Sequence, residues 1–419
     1  MNKKIGNLFK GDKVIWMVFF FLCMISIVEV FSASSGLTYK SQNYVGPIAY
    51  HTFTIFLGAL AAIITLNVPC RYFKLLTPFL LLLSGLMLLI VMVGGGESTN
   101  DASRWIRLGP FTIQPSEIAK GTIVLMVAQI LAAMQRENGA DRKAFKYILW
   151  FTIPACIAIG VENLSTAALL FFVVSLMMFI GLVPMRQLGK LFAVIAFIGI
   201  FSISMVMIVG HDRSEEEESI QLTKTELIEK NKKKSKLEKI LHRADTWKAR
   251  ILKFGKPKPT PKEYDLDKDA QVAHANIAIV SSGIVGKGPG KSTERDFLAQ
   301  AFSDFIFAII IEELGIIGAA SVVFLYIILL YRCARIASRC ENNFPAFLAM
   351  GLGLLLVVQA TFNMMVAVGL APVTGQPLPL ISKGGTSTII NCIYIGAILS
   401  VSRSAKTKKD VVEIKELRS

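Results

Sequence analysis

The sequence predicts an all-α polytopic membrane protein: ten transmembrane helices with a large extracytoplasmic loop between helices 7 and 8. Three observations carry this. The 419-residue chain is 53% hydrophobic and only 18% charged, with a mean hydropathy of +0.56, more apolar than soluble domains usually are. Ten apolar runs recur along it. Lys and Arg collect on one side of those runs.

The runs are Val14–Phe31, Thr52–Val68, Leu75–Val93, Ile118–Met134, Tyr147–Gly160, Thr166–Val183, Leu191–Gly210, Phe305–Tyr331, Pro345–Leu370 and Thr388–Val401. A membrane helix needs roughly 20 mostly apolar residues. Most runs reach that length with their flanks; Tyr147–Gly160 and Thr388–Val401 are the shortest. The first run is long for a signal peptide, so it reads as an uncleaved helix. An even count puts both termini on one side. With the N-terminus inside, the inner segments hold nineteen Lys and Arg, from Lys3 to Lys409. The short outer loops hold four, Lys40, Arg104, Arg107 and Lys383. Basic loops stay in the cytoplasm, so both termini are cytoplasmic. Residues 1–210 then hold helices 1–7, 211–303 the large loop, 304–402 helices 8–10, and 403–419 a cytoplasmic tail.

The net charge of +15 is largely this inner-loop charge. No basic patch is interleaved with aromatics, so nucleic acid is not the partner. The six cysteines avoid the large loop and show neither a disulfide framework nor zinc spacing. The four histidines are scattered.

The large loop has three parts. Residues 213–251 are densely charged and read as a solvated or interfacial helix. "GKPKPTPKEY" is an extended Pro-rich linker. "AQVAHANIAIVSSGIVGKGPGKS" is an apolar helical piece ending in a Gly-rich turn. Glycines there permit close backbone approach to a ligand, or form only a flexible turn.

Polar residues gather on the outer face. They lie in "NDASRWIRLGPFTIQPSEIAK", "VENLSTA", the large loop up to Asp304, and "APVTGQPLPLISKGGTS". Non-helical backbone at membrane depth belongs where it lines a cavity. Arg104, Lys120, Arg243, Lys287 and Lys383 give that cavity positive charge, and Asp296 and Asp304 give it carboxylates. Such a set suits a substrate with a lipid tail and a phosphate head. Cations bind the diphosphate, and a carboxylate serves as general base for an acceptor hydroxyl. A transporter of the same substrate fits the same features.

The motifs resemble those of the SEDS family of peptidoglycan glycosyltransferases, the FtsW and RodA type. "NDASRWIRLGPFTIQPSEIAK" is similar to N-G-x-x-R-W-I…Q-P-S-E-x-x-K. "GKGPGKS" followed by "SDFIFAIIIEELGIIG" resembles G-x-G-x-G…T-D-F-I-F-A…E-E-L-G, and "LPLISKGGTS" resembles L-P-L-I-S-Y-G-G-S-S. The resemblance covers the whole chain, with the motifs in order, and leans to the FtsW side. It implies polymerisation of lipid II outside the bacterial cytoplasmic membrane, at the division septum. Asp304 would be the general base for the acceptor GlcNAc 4-hydroxyl, with undecaprenyl diphosphate leaving. It further implies a class B penicillin-binding protein as partner, with other divisome proteins. Substrate contacts would come from Arg104, Lys120, Arg243, Asp296, Lys287, Lys383, Ser382, Gly384 and Gly385. Glu117, Glu312, Glu313 and Asn163 would support them. No tightly bound cofactor is implied; a divalent cation, Mg or Mn, is plausible, with Asp304 its candidate ligand.

The chain departs from the family pattern at several positions. Lys383 stands where the family has Tyr, Asn163 where it has Asp, and Thr374 where many members have Lys. Lys383 would replace that lost charge. Plainer readings stand beside these. Asp304 is also a good helix N-cap. Glu312 and Glu313 lie about 12 Å further along the helix, deep enough for structural pairing. Glu117 and Lys120 are spaced for an i, i+3 ion pair. Arg104 and Trp105 suit an interface anchor. A lipid II flippase, an elongation polymerase and a scaffold for a transpeptidase remain alternative functions.

Overall fold

The computed structural model describes residues 10–34, 46–93, 97–99, 102–108, 111–137, 139–209, 270–298 and 301–405. A helix stands at each of the ten apolar runs. These are α1 (Lys13–Ala33), α2 (Gly46–Asn67), α3 (Cys70–Val93), α4 (Pro115–Ala133), α5 (Arg142–Glu162), α6 (Leu164–Ile180), α7 (Met185–Val209), α9 (Ile306–Ala337), α10 (Asn343–Ala367) and α11 (Thr386–Ser404). The apolar piece of the large loop forms α8 (Ala270–Ser282). Seven of the ten, all but α6, α7 and α11, are long and apolar enough among the described residues to cross a membrane. The arrangement agrees with ten spans. The charged stretch 213–251 and Arg243 lie outside the described residues.

Local chemistry sets the helix ends. Asp12 caps α1 by accepting from Val14 N at 2.9 Å and Ile15 N at 3.2 Å. The same carboxylate takes the Arg332 guanidinium of α9, and its backbone N–H donates to Ser402 Oγ of α11 at 2.9 Å. One residue thus ties three helices. Asn163 ends α5 and starts α6, its Oδ1 accepting from Thr166 N at 3.2 Å. Pro115 opens α4, where a missing N–H costs nothing. The short run Tyr147–Gly160 lengthens to 21 residues because Asp141 caps α5 upstream. Gly315, at φ 69° and ψ −169°, breaks α9 near its start.

The helices divide by environment. α4 and α10 are inner helices; Val124, Val127, Ala128 and Ala360 are wholly buried. α3 and α5 turn large apolar side chains outward, with Phe79 74% and Trp150 71% exposed, as lipid-facing helices do. Small residues let α2 and α11 meet closely. A Cβ at Gly58 would stand 2.7 Å from Cys392 Sγ, and one at Gly396 2.5 Å from Ala62 O. Close approach through glycines is a common means of packing helices in lipid.

Two short sheets among the described residues depart from an all-helical reading: a hairpin that pairs Gln135 with Ala140 and Arg136 with Gly139 just before α5, and a larger one. Between α3 and α4 the chain forms a three-stranded antiparallel meander, β1 (Glu97–Thr99), β2 (Ala102–Leu108) and β3 (Phe111–Ile113). Ile106 pairs with Ile113 and Leu108 with Phe111. β-Branched and aromatic residues there favour strand pairing.

Candidate active site

The site is built where the turn before α9 meets the loop between α10 and α11. Three consecutive carbonyls of that turn are each bonded from outside it. Lys383 N donates to Phe302 O at 2.9 Å. Ser382 Oγ donates to Ser303 O at 2.6 Å. Asn363 Nδ2 donates to Asp304 O at 2.9 Å. Ser382 Oγ is itself aimed by Leu378 N, which donates to it at 2.8 Å. The Asp304 carboxylate, part-exposed, accepts from Ser303 Oγ at 3.1 Å. Below it, Phe305 joins a buried cluster with Ala33, Leu298 and Val366.

The opposing loop carries Ser382, Lys383, Gly384 and Gly385. The Lys383 ammonium lies 5.0 Å from the Phe302 ring centroid, within cation–π range. Partial burial holds its pKa below that of an ordinary lysine. Gly385, at φ +52°, caps α11. Thr386 Oγ1 donates to Thr112 O at 2.6 Å, joining β3 to this loop. Ser26 Oγ of α1 donates to Ile381 O at 2.6 Å and lies 2.9 Å from His51 Nε2. Since Ser26 has spent its one proton, His51 Nε2 is the donor of that pair.

A second polar group lies deeper. Lys120 is wholly buried, its Nζ 2.8 Å from Glu117 Oε1 and 2.6 Å from Gln359 Oε1. Gln359 Nε2 donates to Pro377 O at 3.0 Å. Gln376, the neighbour of Pro377, donates to Thr166 Oγ1 at 2.5 Å. The Glu117–Lys120 pair is therefore connected to the same loop as Asp304. Asn163 is buried and lines a small cavity with Leu88, Gln114, Ser116 and Ile159.

The Gly-rich turn does something else. Glu312 and Glu313 are wholly buried, and the turn folds around them. Glu312 accepts from Lys287 Nζ at 2.6 Å, Thr293 N at 3.0 Å, Thr293 Oγ1 at 2.9 Å and Ser292 Oγ. Glu313 accepts from Gly290 N at 2.8 Å, Ser292 N at 3.2 Å and Ser32 Oγ. Lys287 N and Gly288 N bond to the backbone carbonyls of the same two glutamates. Gly286, at φ +81°, lies so close to α9 that a Cβ would collide with Glu313 O and Gly315 N. The close approach that Gly286 makes is thus to the protein's own backbone. Asp296 sits in a 3-10 turn, 52% exposed and 3.9 Å from Arg295 Nε.

The structure therefore brings together Asp304, Ser382 and Lys383, with Gly384 and Gly385 on the same loop. It places Glu117 and Lys120 one link away, and Lys287 with Glu312 and Glu313 in a separate knot. Arg104 lies on β2. Among the described residues, no group of three or more His, Cys, Asp or Glu is placed to hold a metal ion. Sequence reasoning passed over Gln359, Asn363 and Gln376. The first two carried a signal: amides four residues apart share one face of an otherwise apolar helix, and polar groups inside spans mark functional sites.

Apolar helices of span length, with a polar nest of turns and an acid at the head of one of them, define an integral membrane protein. Residues 12–407 match the FtsW/RodA/SpoVE family of cell cycle proteins, and the chain belongs to that family. The probable peptidoglycan glycosyltransferase FtsW of Geobacter metallireducens is 29% identical over 400 residues, 94% of this chain and 95% of that protein. The peptidoglycan glycosyltransferase MrdB of Escherichia coli K12 is 26% identical over 398 residues, 94% of each chain. The rod shape determining protein RodA of Thermus thermophilus shares the fold, with a TM-score of 0.63 over 96% of this chain and all of RodA at 22% identity. A chain from a peptidoglycan synthase complex, whose structure describes coordination of polymerization and crosslinking, gives a TM-score of 0.69 at 23% identity, over 95% of this chain and 99% of that one.

Proposed function

We propose that this chain is a peptidoglycan glycosyltransferase that polymerises lipid II, with Asp304 as the general base. The observation that carries the reading is the junction of the Asp304 turn with the loop bearing Ser382 and Lys383. That junction puts a carboxylate and a partly desolvated cation on two contacting segments. The carboxylate takes the proton of the acceptor GlcNAc 4-hydroxyl. The freed oxygen forms a bond to the donor's anomeric carbon. The anomeric C–O bond to the diphosphate breaks, and undecaprenyl diphosphate leaves with the electron pair. Lys383 and Arg104 are assigned to the diphosphate, as is Arg243. A divalent cation would be held chiefly by diphosphate oxygens, with Asp304 as the one protein carboxylate.

Lys120, enclosed by Glu117 and Gln359, is assigned to the site's inner wall. Lys287, paired with Glu312, is assigned to the scaffold of the Gly-rich turn. Septal synthesis is the role we assign, following the FtsW-named relatives, and both termini are assigned to the cytoplasm from the Lys and Arg of the inner segments. A class B penicillin-binding protein and other divisome proteins would be its partners.

The test is glycan polymerisation from purified lipid II, with the cognate transpeptidase and a divalent cation. Wild type should make polymer. Asp304→Ala should make 10²- to 10⁴-fold less, the usual weight of a general base, while staying folded and partner-bound. Equal polymer from both removes Asp304 as the base. No polymer from either, with lipid II carried across liposomes instead, assigns the chain to transport.

A further inference from the structure

Asp304 is fixed by a side chain that no motif includes. Of the three donors on the 302–304 carbonyls, two belong to the Lys383 loop. The third, Asn363, comes from α10 and bonds Asp304's own carbonyl. Asn363 is 1% exposed. Its two amide hydrogens are both spent, one on Asp304 O at 2.9 Å and one on Gln376 O at 2.7 Å. Both acceptors are carbonyls, so the nitrogen must face them and the amide has only one workable orientation. Its Oδ1 is buried with no donor among the described residues. A buried oxygen in that state is unfavourable, and an apolar side chain of the same size avoids it. The amide is therefore held at a cost in stability, which points to its two donors as the reason.

Gln359, one turn earlier, repeats the arrangement. Its Nε2 holds Pro377 O at 3.0 Å and its Oε1 takes Lys120 Nζ at 2.6 Å. Two amides on one face of α10 thus hold the successive carbonyls of Gln376 and Pro377. One reaches on to Asp304 and the other to the Glu117–Lys120 pair.

We propose that Asn363 is a positioning residue for Asp304: its amide locks the Asp304 turn to the 376–383 loop, so that the carboxylate and the Lys383 ammonium meet the lipid-linked substrate in one fixed relation. This rests on the glycosyltransferase reading. Asn363 acts through the backbone of Asp304. Releasing that carbonyl frees the turn by the ångström or so that is enough to slow a positioned reaction about 100-fold.

The test uses the full chain with its transpeptidase partner and compares Asn363→Leu, Ser382→Ala and Ser382→Thr. Asn363→Leu is expected to lower kcat for lipid II polymerisation about 100-fold, with KM within about twofold, because an aligning interaction is lost rather than substrate binding. Ser382→Ala should lower kcat less, and Ser382→Thr should restore it by keeping the hydroxyl. In an Asp304→Ala background, Asn363→Leu should add no further loss, because the two act as one unit. Wild-type kcat in Asn363→Leu overturns the proposal. So does a kcat loss that falls in step with thermal stability and partner binding, which would make the residue merely structural. If Asn363→Leu does not fold, Asn363→Ala takes its place, and wild-type kcat in that variant overturns the proposal. A wild type that makes no polymer refutes the glycosyltransferase reading itself, a separate result.

Discussion

Asp304 and Glu312 lie eight residues apart at the head of α9, and the protein surrounds them differently. Glu312 is wholly buried and receives Lys287, Ser292, Thr293 and the Glu294 N–H. Asp304 is part-exposed; its carboxylate accepts from Ser303 Oγ, and three carbonyls of its turn, Asp304 O among them, are bonded from outside. In one place the surroundings grip the carboxylate. In the other they grip the main chain of a turn whose carboxylate is part-exposed. An acid in a membrane helix is expensive, and these two show separate ways of bearing that cost. A carboxylate enclosed by donors is a staple; a part-exposed carboxylate on a held frame suits the role proposed for Asp304.

Substitutions can break that contrast. The largest effect is expected from Asp304→Asn, which should cut polymerisation 10²- to 10⁴-fold yet leave thermal unfolding in detergent near wild type. A matching fall in stability would make Asp304 another staple. The knot should behave in reverse. Gly286→Ala places a methyl against Glu313 O and Gly315 N at φ +81°, and should cost about 3 kcal/mol of stability. Its residual folded fraction should keep wild-type turnover per molecule. A stable Gly286→Ala protein with no activity would move the knot into the site.

Lys383 sharpens the comparison through pH. Burial lowers its pKa, so the folded chain sheds this proton at a lower pH than the unfolded chain. Its charged form therefore costs stability below the lowered value, and that cost disappears as pH rises toward the ordinary lysine value. Activity should run the other way. If the ammonium serves the diphosphate, the alkaline limb begins below the range of a free lysine. Lys383→Arg should push that limb upward, and Lys383→Ala should lower turnover about tenfold by removing one phosphate contact. His51 feels the Lys383 charge and Asp304 lies on the turn that Lys383 bonds, so the profile should be repeated with Asp304→Asn. An unchanged limb in Lys383→Arg would detach Lys383 from the reaction.

The smallest effect is expected far from both turns. The Lys143 N–H at 2.8 Å, with Arg136 beside it, holds the Asp141 carboxyl below its usual pKa. Its cap on α5 is thus fully present at neutral pH and lost as pH falls through that depressed value. Asp141→Ala should shift unfolding by only a fraction of the Gly286→Ala effect and leave polymerisation unchanged.

Much of the fold was legible because hydropathy is local. Each of the ten runs became a helix, and even the short Thr388–Val401 run gained its length from flanking Thr386 and Ser404. The helical piece before the Gly-rich turn was legible for the same reason. The 97–113 meander was not, since three short strands leave little pattern in a stretch read for its polar residues. Asp304, Ser382 and Lys383 were readable as polar outliers on one face, and the family motifs joined them. Lys287 was readable as a cation in a Gly-rich turn, but nothing local said that Glu312 would take it. Glu29, a lone wholly buried acid in α1, was visible as an outlier in its run and went unused.

Hydropathy along the chain is enough to make it a membrane protein, to place its helices and to mark the residues too polar for lipid to be there by accident. Those are one-dimensional facts, since burial in hydrocarbon acts on each segment in turn. Which polar residues meet is settled by packing in three dimensions. Asn363 reaches Asp304 across 59 positions, and Lys120 reaches Gln359 across 239. Such pairs form because packed helices bring distant loops to one place, and a hydrogen bond between them depends on that packing to within a few tenths of an ångström.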